Sequence, residues 1–163
     1  MMAAAPPIAH RRETDEVATL IDLLHEVVQG ALRELHPMLA KEGITMGQFW
    51  AIHTVSSLEA ASVNTVARYL GVSAPTLCGS LDMLEDAGLV RRQRSERDRR
   101  AVELSLTPRG RRVEARVWRE MARVMNEASG EIPEADVATA VRVFREVARR
   151  LTENGGPAHK GAA

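Results

Sequence analysis

Twelve arginines fall between residues 88 and 123 against five carboxylates, whereas residues 1–87 carry 5 basic and 11 acidic side chains and residues 124–163 carry 5 and 6. The whole chain is neutral, so its one concentration of positive charge is local. A guanidinium presents a planar fork of donors that matches phosphate oxygens and base edges, so the chemistry on offer is recognition of a polyanion. A solvated, arginine-rich helix face would leave the same composition. Other chemistries are thinly supplied. Cys78 is the only cysteine, which excludes an internal disulfide framework and fits a reducing compartment. Oxidation of its thiol would need a lowered pKa, and no base is placed beside it in sequence. His25, His36 and His53 lack the paired short spacing of a zinc site, so no metal is expected. There is no glycine-rich phosphate loop, no nucleophile with an oriented base and no carboxylate pair in a recognisable pocket. The chain therefore does not read as an enzyme, and no cofactor is expected.

The elements that must position these groups follow from periodicity. A chain of 163 residues is sized for one domain, and no apolar run approaches the roughly eighteen residues of a membrane span. Neither a membrane partner nor a location other than the cytoplasm is expected. Residues 1–12 read as a disordered lead, with arginines after the apolar part, the wrong order for a secretory signal. Residues 153–163 read as a flexible tail. From 14 to 40, Val17, Ile21, Leu24, Val28, Ala31, Leu35 and Leu39 form one helical stripe, and Pro37 is expected to bend its last turn. Thr45 and Gln48 have capping-box spacing and open a second helix over 46–60. A third helix over 63–70 meets Gly71, and Ser73 caps a fourth over 74–87 with Leu77, Leu81 and Leu84 inward. So short a turn makes a helix-turn-helix candidate, although a plain helical hairpin would share the pattern. Strands over 88–92 and 101–106 flank the charged loop 93–100, forming a ribbon of the kind called a wing.

Long amphipathic helices over 108–129 and 133–152 complete the chain. The expected single domain spans 13–152, with a reading core over 46–107 and dimerisation helices over 14–40, 108–129 and 133–152. The fold class is mainly α with a small two-stranded β wing. The terminal stripes exceed what one small domain can cover, which suggests a homodimer; an intramolecular three-helix bundle is the alternative.

Ala67 to Gly71, Ser73 to Leu84, Gly88-Leu89-Val90, Asp98-Arg99-Arg100-Ala101-Val102 and Leu106-Thr107-Pro108-Arg109-Gly110 stand in one register. With these the chain resembles the MarR family of bacterial regulators over nearly its whole length. The resemblance implies a homodimer that binds pseudo-palindromic duplex DNA as a transcriptional regulator, usually a repressor relieved by a small, often phenolic, effector. It makes Arg100 the wing arginine of the minor groove and Asp98 the carboxylate that orients it, an arrangement suited to the negative potential of a narrow groove. Arg94, Arg97 and Arg99 would add phosphate contacts, as would Arg68. Ser73, Ala74, Pro75, Thr76, Cys78, Gly79, Ser80 and Asp82 would lie along the recognition helix facing the major groove. That helix departs from the family habit: residues 73–87 hold no Lys or Arg, while Asp82, Glu85 and Asp86 are acidic. Base readout by the helix should therefore be sparse. Oxidation of Cys78 would place charge or bulk against DNA, whereas its plain role would be to pack beside Leu81. The family's effector pocket, between the dimerisation helices and the core, would draw on His25, Trp50 and His53. A winged-helix protein-interaction module without specific DNA binding is the rival reading, encouraged by the acidic helix.

Overall fold

The computed structural model describes residues 16–58, 61–94 and 102–155. The element order is α1 (Glu16–Glu42), α2 (Met46–Ser57), α3 (Val63–Leu70), α4 (Ala74–Asp86), β1 (Val90–Arg94), β2 (Val102–Leu106), α5 (Pro108–Ser129) and α6 (Glu134–Gly155). The class is mainly helical with one two-stranded antiparallel sheet, a winged helix-turn-helix flanked by long helices. No described helix is long and apolar enough to cross a membrane.

Local chemistry sets the boundaries. Helix α1 runs through Pro37 and ends two residues later than expected, at a left-handed Gly43. Buried Leu35 and Leu39 on either side of the proline anchor the turn it weakens. At α2 the capping box is complete: the Gln48 amide donates to Thr45 Oγ1, and the Thr45 amide donates to Gln48 Oε1 at 2.8 Å. Its far end comes earlier than periodicity suggested, because Ala61 is drawn into an extended bridge with β2, where the Leu104 amide donates to the Ala61 carbonyl at 2.7 Å. Strand β1 starts later than expected for a similar reason. Gly88, at φ 66°, and Leu89 close the end of α4, their amides donating to the Glu85 and Leu84 carbonyls. Helix α6 continues to Gly155, past the expected end at 152.

The core gathers Leu35 from α1, Phe49 and Ile52 from α2, Val66 from α3, Leu81 and Leu84 from α4, and Val117 from α5, all fully buried. The ribbon closes one side with Leu104 and Leu106 inward, although Val102, expected on the same face, is exposed at the outer end. The terminal helices are a contrast. Every described side chain of α6 is exposed apart from half-buried Glu146, and α1 buries only Leu35 and Leu39 of its stripe.

Candidate nucleic-acid interface

Helix α3, the turn at Gly71 and helix α4 form the helix-turn-helix. Gly71 adopts φ 67°, and its amide and that of Val72 close α3 on the Arg68 and Ala67 carbonyls. Ala67 and Leu77 are buried between the two helices. Ser73 caps α4 by accepting from the Thr76 amide at 3.2 Å, and its hydroxyl shares a 2.7 Å hydrogen bond with the Thr76 hydroxyl. Pro75 sits in the first turn, where its missing amide costs nothing. Ser73, Pro75, Thr76 and Gly79 are exposed, Ala74, Cys78 and Ser80 half-buried. No atom outside the local helix lies within 4 Å of where a Cβ on Gly79 would stand, so this stretch of α4 is open. Arg68 is exposed at the end of α3.

Beside α4 stands the ribbon, in the register Val90↔Leu106 to Arg94↔Val102. Arg94 is exposed at the outer end of β1. Arg97, Asp98, Arg99 and Arg100 lie outside the described residues. What carries the ribbon is well defined. Thr107 caps α5 by accepting from the Gly110 amide at 3.0 Å, while its hydroxyl donates to the Gly88 carbonyl at 2.7 Å and its amide to the Leu89 carbonyl at 3.0 Å. A Cβ on Gly110 would stand 2.0 Å from the Leu89 carbonyl oxygen, so that position has no room for a side chain. The segment Leu106-Thr107-Pro108-Arg109-Gly110 thus ties the start of α5 to the turn between α4 and β1.

The arginine-rich segment divides once its partners are seen. Arg109 donates to the Ala87 carbonyl, Arg111 to the Leu106 carbonyl at 2.8 Å, Arg116 pairs with Glu42 of α1, and Arg123 pairs with Glu120 and Glu127. Arg92 reaches back to α4: its Nη2 lies 2.7 Å from Asp82 Oδ1 and its Nη1 2.8 Å from Glu85 Oε2, while its backbone amide donates to Glu85 Oε1 at 3.2 Å. The hydrogen bond that Arg92 donates to Asp82 is the main cause of its raised pKa, against the opposing pull of burial. Six arginines of the basic excess, Arg91 on Ser105 Oγ included, thus have partners within the chain rather than forming one uniformly solvated stripe. Asp82 is exposed, with its carboxylate paired to Arg92. Arg92 and Glu85 were missed in the sequence for want of any local signal, the partners being seven and ten residues apart across a turn.

A second cluster forms where α2 meets α5. The His53 ring stacks on Trp118 with centroids 4.6 Å apart and planes 4° from parallel, and His53 Nδ1 lies 2.9 Å from Glu114 Oε1. Trp50 meets the His53 ring edge-on at 5.8 Å. Trp50 and Trp118 remain exposed, while His53 is half-buried. The structure thus brings Trp50 and His53 together, with Glu114 and Trp118 as unforeseen partners four residues apart on α5. His25 lies exposed in the first half of α1 and makes no part of this cluster. Among the described residues no group of three or more His, Cys, Asp or Glu side chains is placed to hold a metal ion.

Residues 42–101 match the model of the MarR family. The chain is 33% identical over 88 residues to an organic hydroperoxide resistance transcriptional regulator of Bacillus subtilis, an alignment that covers 54% of this chain and 60% of that protein's length. Among solved structures, a MarR family protein from Bacillus stearothermophilus superposes with a TM-score of 0.73 at 22% identity, covering 83% of this chain and 95% of that one. CouR from Rhodococcus jostii, solved bound to p-coumaroyl-CoA, superposes at 0.68 with 21% identity, covering 85% and 95%.

Proposed function

We propose that this protein is a homodimeric, sequence-specific regulator of transcription that binds duplex DNA in the cytoplasm, a reading supported by the match of residues 42–101 to the MarR family model. The observation that carries the reading is the open N-terminal half of α4 with a β-ribbon fixed beside it, two elements of a size to enter adjacent grooves. Ser73, Ala74, Pro75, Thr76, Cys78, Gly79 and Ser80 face the major groove in this reading. Arg94, Arg97, Arg99 and Arg100 of the wing and Arg68 of α3 meet the backbone and minor groove, with Asp98 orienting Arg100.

The same core could serve as a protein-interaction module, and an acidic recognition helix would favour that. Arg92 supports the DNA reading instead, because it engages Asp82 and Glu85 and lessens the negative field of α4. Dimerisation is supported by the uncovered apolar stripes: Leu20, Ile21, Leu24 and Val28 on α1, and Val137, Val141, Phe144 and Leu151 on α6. Apolar helix faces of this length need a partner, and a two-fold copy supplies one together with a second reading head.

The action proposed is repression, relieved by a small aromatic effector. The flat, partly exposed rings of Trp50, His53 and Trp118 suit stacking on a planar ligand, a phenolic compound being the favoured class. Titration of DNA binding with salt tests the central reading. Affinity for duplex DNA should fall steeply as salt rises, while a preference for one site over random sequence persists. Weak binding with no site preference at any salt would favour the protein-interaction module.

A further inference from the structure

The geometry points to Arg92 as a positioning residue that locks the wing to the recognition helix, so that the two elements dock on DNA as one rigid reader. The inference rests on the DNA-binding reading above. Asp82 and Glu85 lie three residues apart on one face of α4, and the guanidinium of Arg92 spans both, one terminal nitrogen on each carboxylate. Glu85 also accepts from the Arg92 backbone amide, so the same carboxylate holds both the strand and the side chain. A lone surface ion pair would contribute little. Here three contacts share two carboxylates and one planar fork, an arrangement whose directionality fixes orientation as well as distance. The attachment point matters. Arg92 is the middle residue of β1, so its contacts hold the ribbon to α4 at the centre of the strand.

The lock accounts for an oddity of the sequence. A recognition helix with carboxylates at 82 and 85 ought to repel phosphate, and their presence makes sense if they grip the wing. Arg92 is correspondingly spent on protein, and its charge adds no phosphate contact of its own.

The test separates geometry from electrostatics by the sign of the effect. Affinities of the full chain would be measured for a duplex selected from a random pool and for a random-sequence duplex of equal length. In the double variant Asp82→Asn, Glu85→Gln, removal of two negative charges should raise affinity for the random duplex. Loss of the lock should lower affinity for the selected duplex, by about tenfold if a charge-assisted contact is forfeited. Arg92→Lys keeps the charge but cannot span both carboxylates. It should lower the ratio of selected to random binding while leaving the salt dependence on the random duplex unchanged. The lock is overturned if the double variant gains affinity for both duplexes alike, since the carboxylates then only repel. It is equally overturned if Arg92→Lys keeps the wild-type ratio. Were the wild-type chain itself to select no sequence, the DNA-binding reading would fail and the lock with it.

Discussion

Gly110 shows how closely the start of α5 is seated. A methyl group there would stand 2.0 Å from a backbone oxygen of Leu89, inside the turn that Thr107 holds with three hydrogen bonds. Backbone must move to admit it, and such overpacking costs about 3 kcal/mol. Gly110→Ala should therefore lower the free energy of unfolding by about that amount, read by denaturant titration, whereas Gly79→Ala, with open space around it, should be neutral to stabilising by about 1 kcal/mol through helix propensity. A second residue-scale expectation concerns function. Arg100→Ala should weaken DNA binding and reduce the slope of log affinity against log salt by about one, the signature of a lost phosphate contact. An unchanged slope would remove Arg100 from the interface.

At the scale of elements, the most exposed helix makes the clearest prediction. The apolar stripe of α6 has no cover among the described residues, so Phe144→Asp should shift sedimentation towards the monomer and lessen the concentration dependence of the melting temperature that a dimer shows. The polar side of α6 carries its own pH dependence. Hydrogen bonds from Arg149, then Arg150, hold the Glu146 carboxyl at about 2, below its ordinary 4.5. A depressed carboxyl stabilises the folded helix above its ordinary pKa, and this contribution is lost as pH falls from 4.5 through about 2. Helix content followed by circular dichroism should fall across that window, and less so in about 1 M salt, where exposed pairs are screened. Much of this was legible in the sequence. Gly43, Thr45, Gly71, Ser73 and Thr107 announce helix ends because each acts on backbone groups within four residues. The bridge at Ala61 that shortens α2 was not legible, since its partner Leu104 lies in a strand 43 residues on. The division of the arginines was hidden for the same reason: composition registers a charge but not whether it faces water, a carbonyl or a carboxylate. The ring cluster between α2 and α5 was half visible, Trp50 and His53 from one helix, with Glu114 and Trp118 supplied by another.

For the whole molecule, the site and the exposed helices meet in symmetry. Fixed reading elements sit on the core, uncovered apolar stripes run along α1 and α6, and α5 joins them through the seat at Gly110 and the Arg116–Glu42 pair. A two-fold dimer built on those stripes would present two copies of α4 and two wings to one face of a duplex. Its operator should then share the symmetry. Selection of bound duplexes from a random pool by the full chain tests this most directly. The account predicts a palindrome whose half-site centres lie about 10 base pairs, one helical turn, apart. Recovery of an asymmetric single site, or of no enriched sequence, would contradict it.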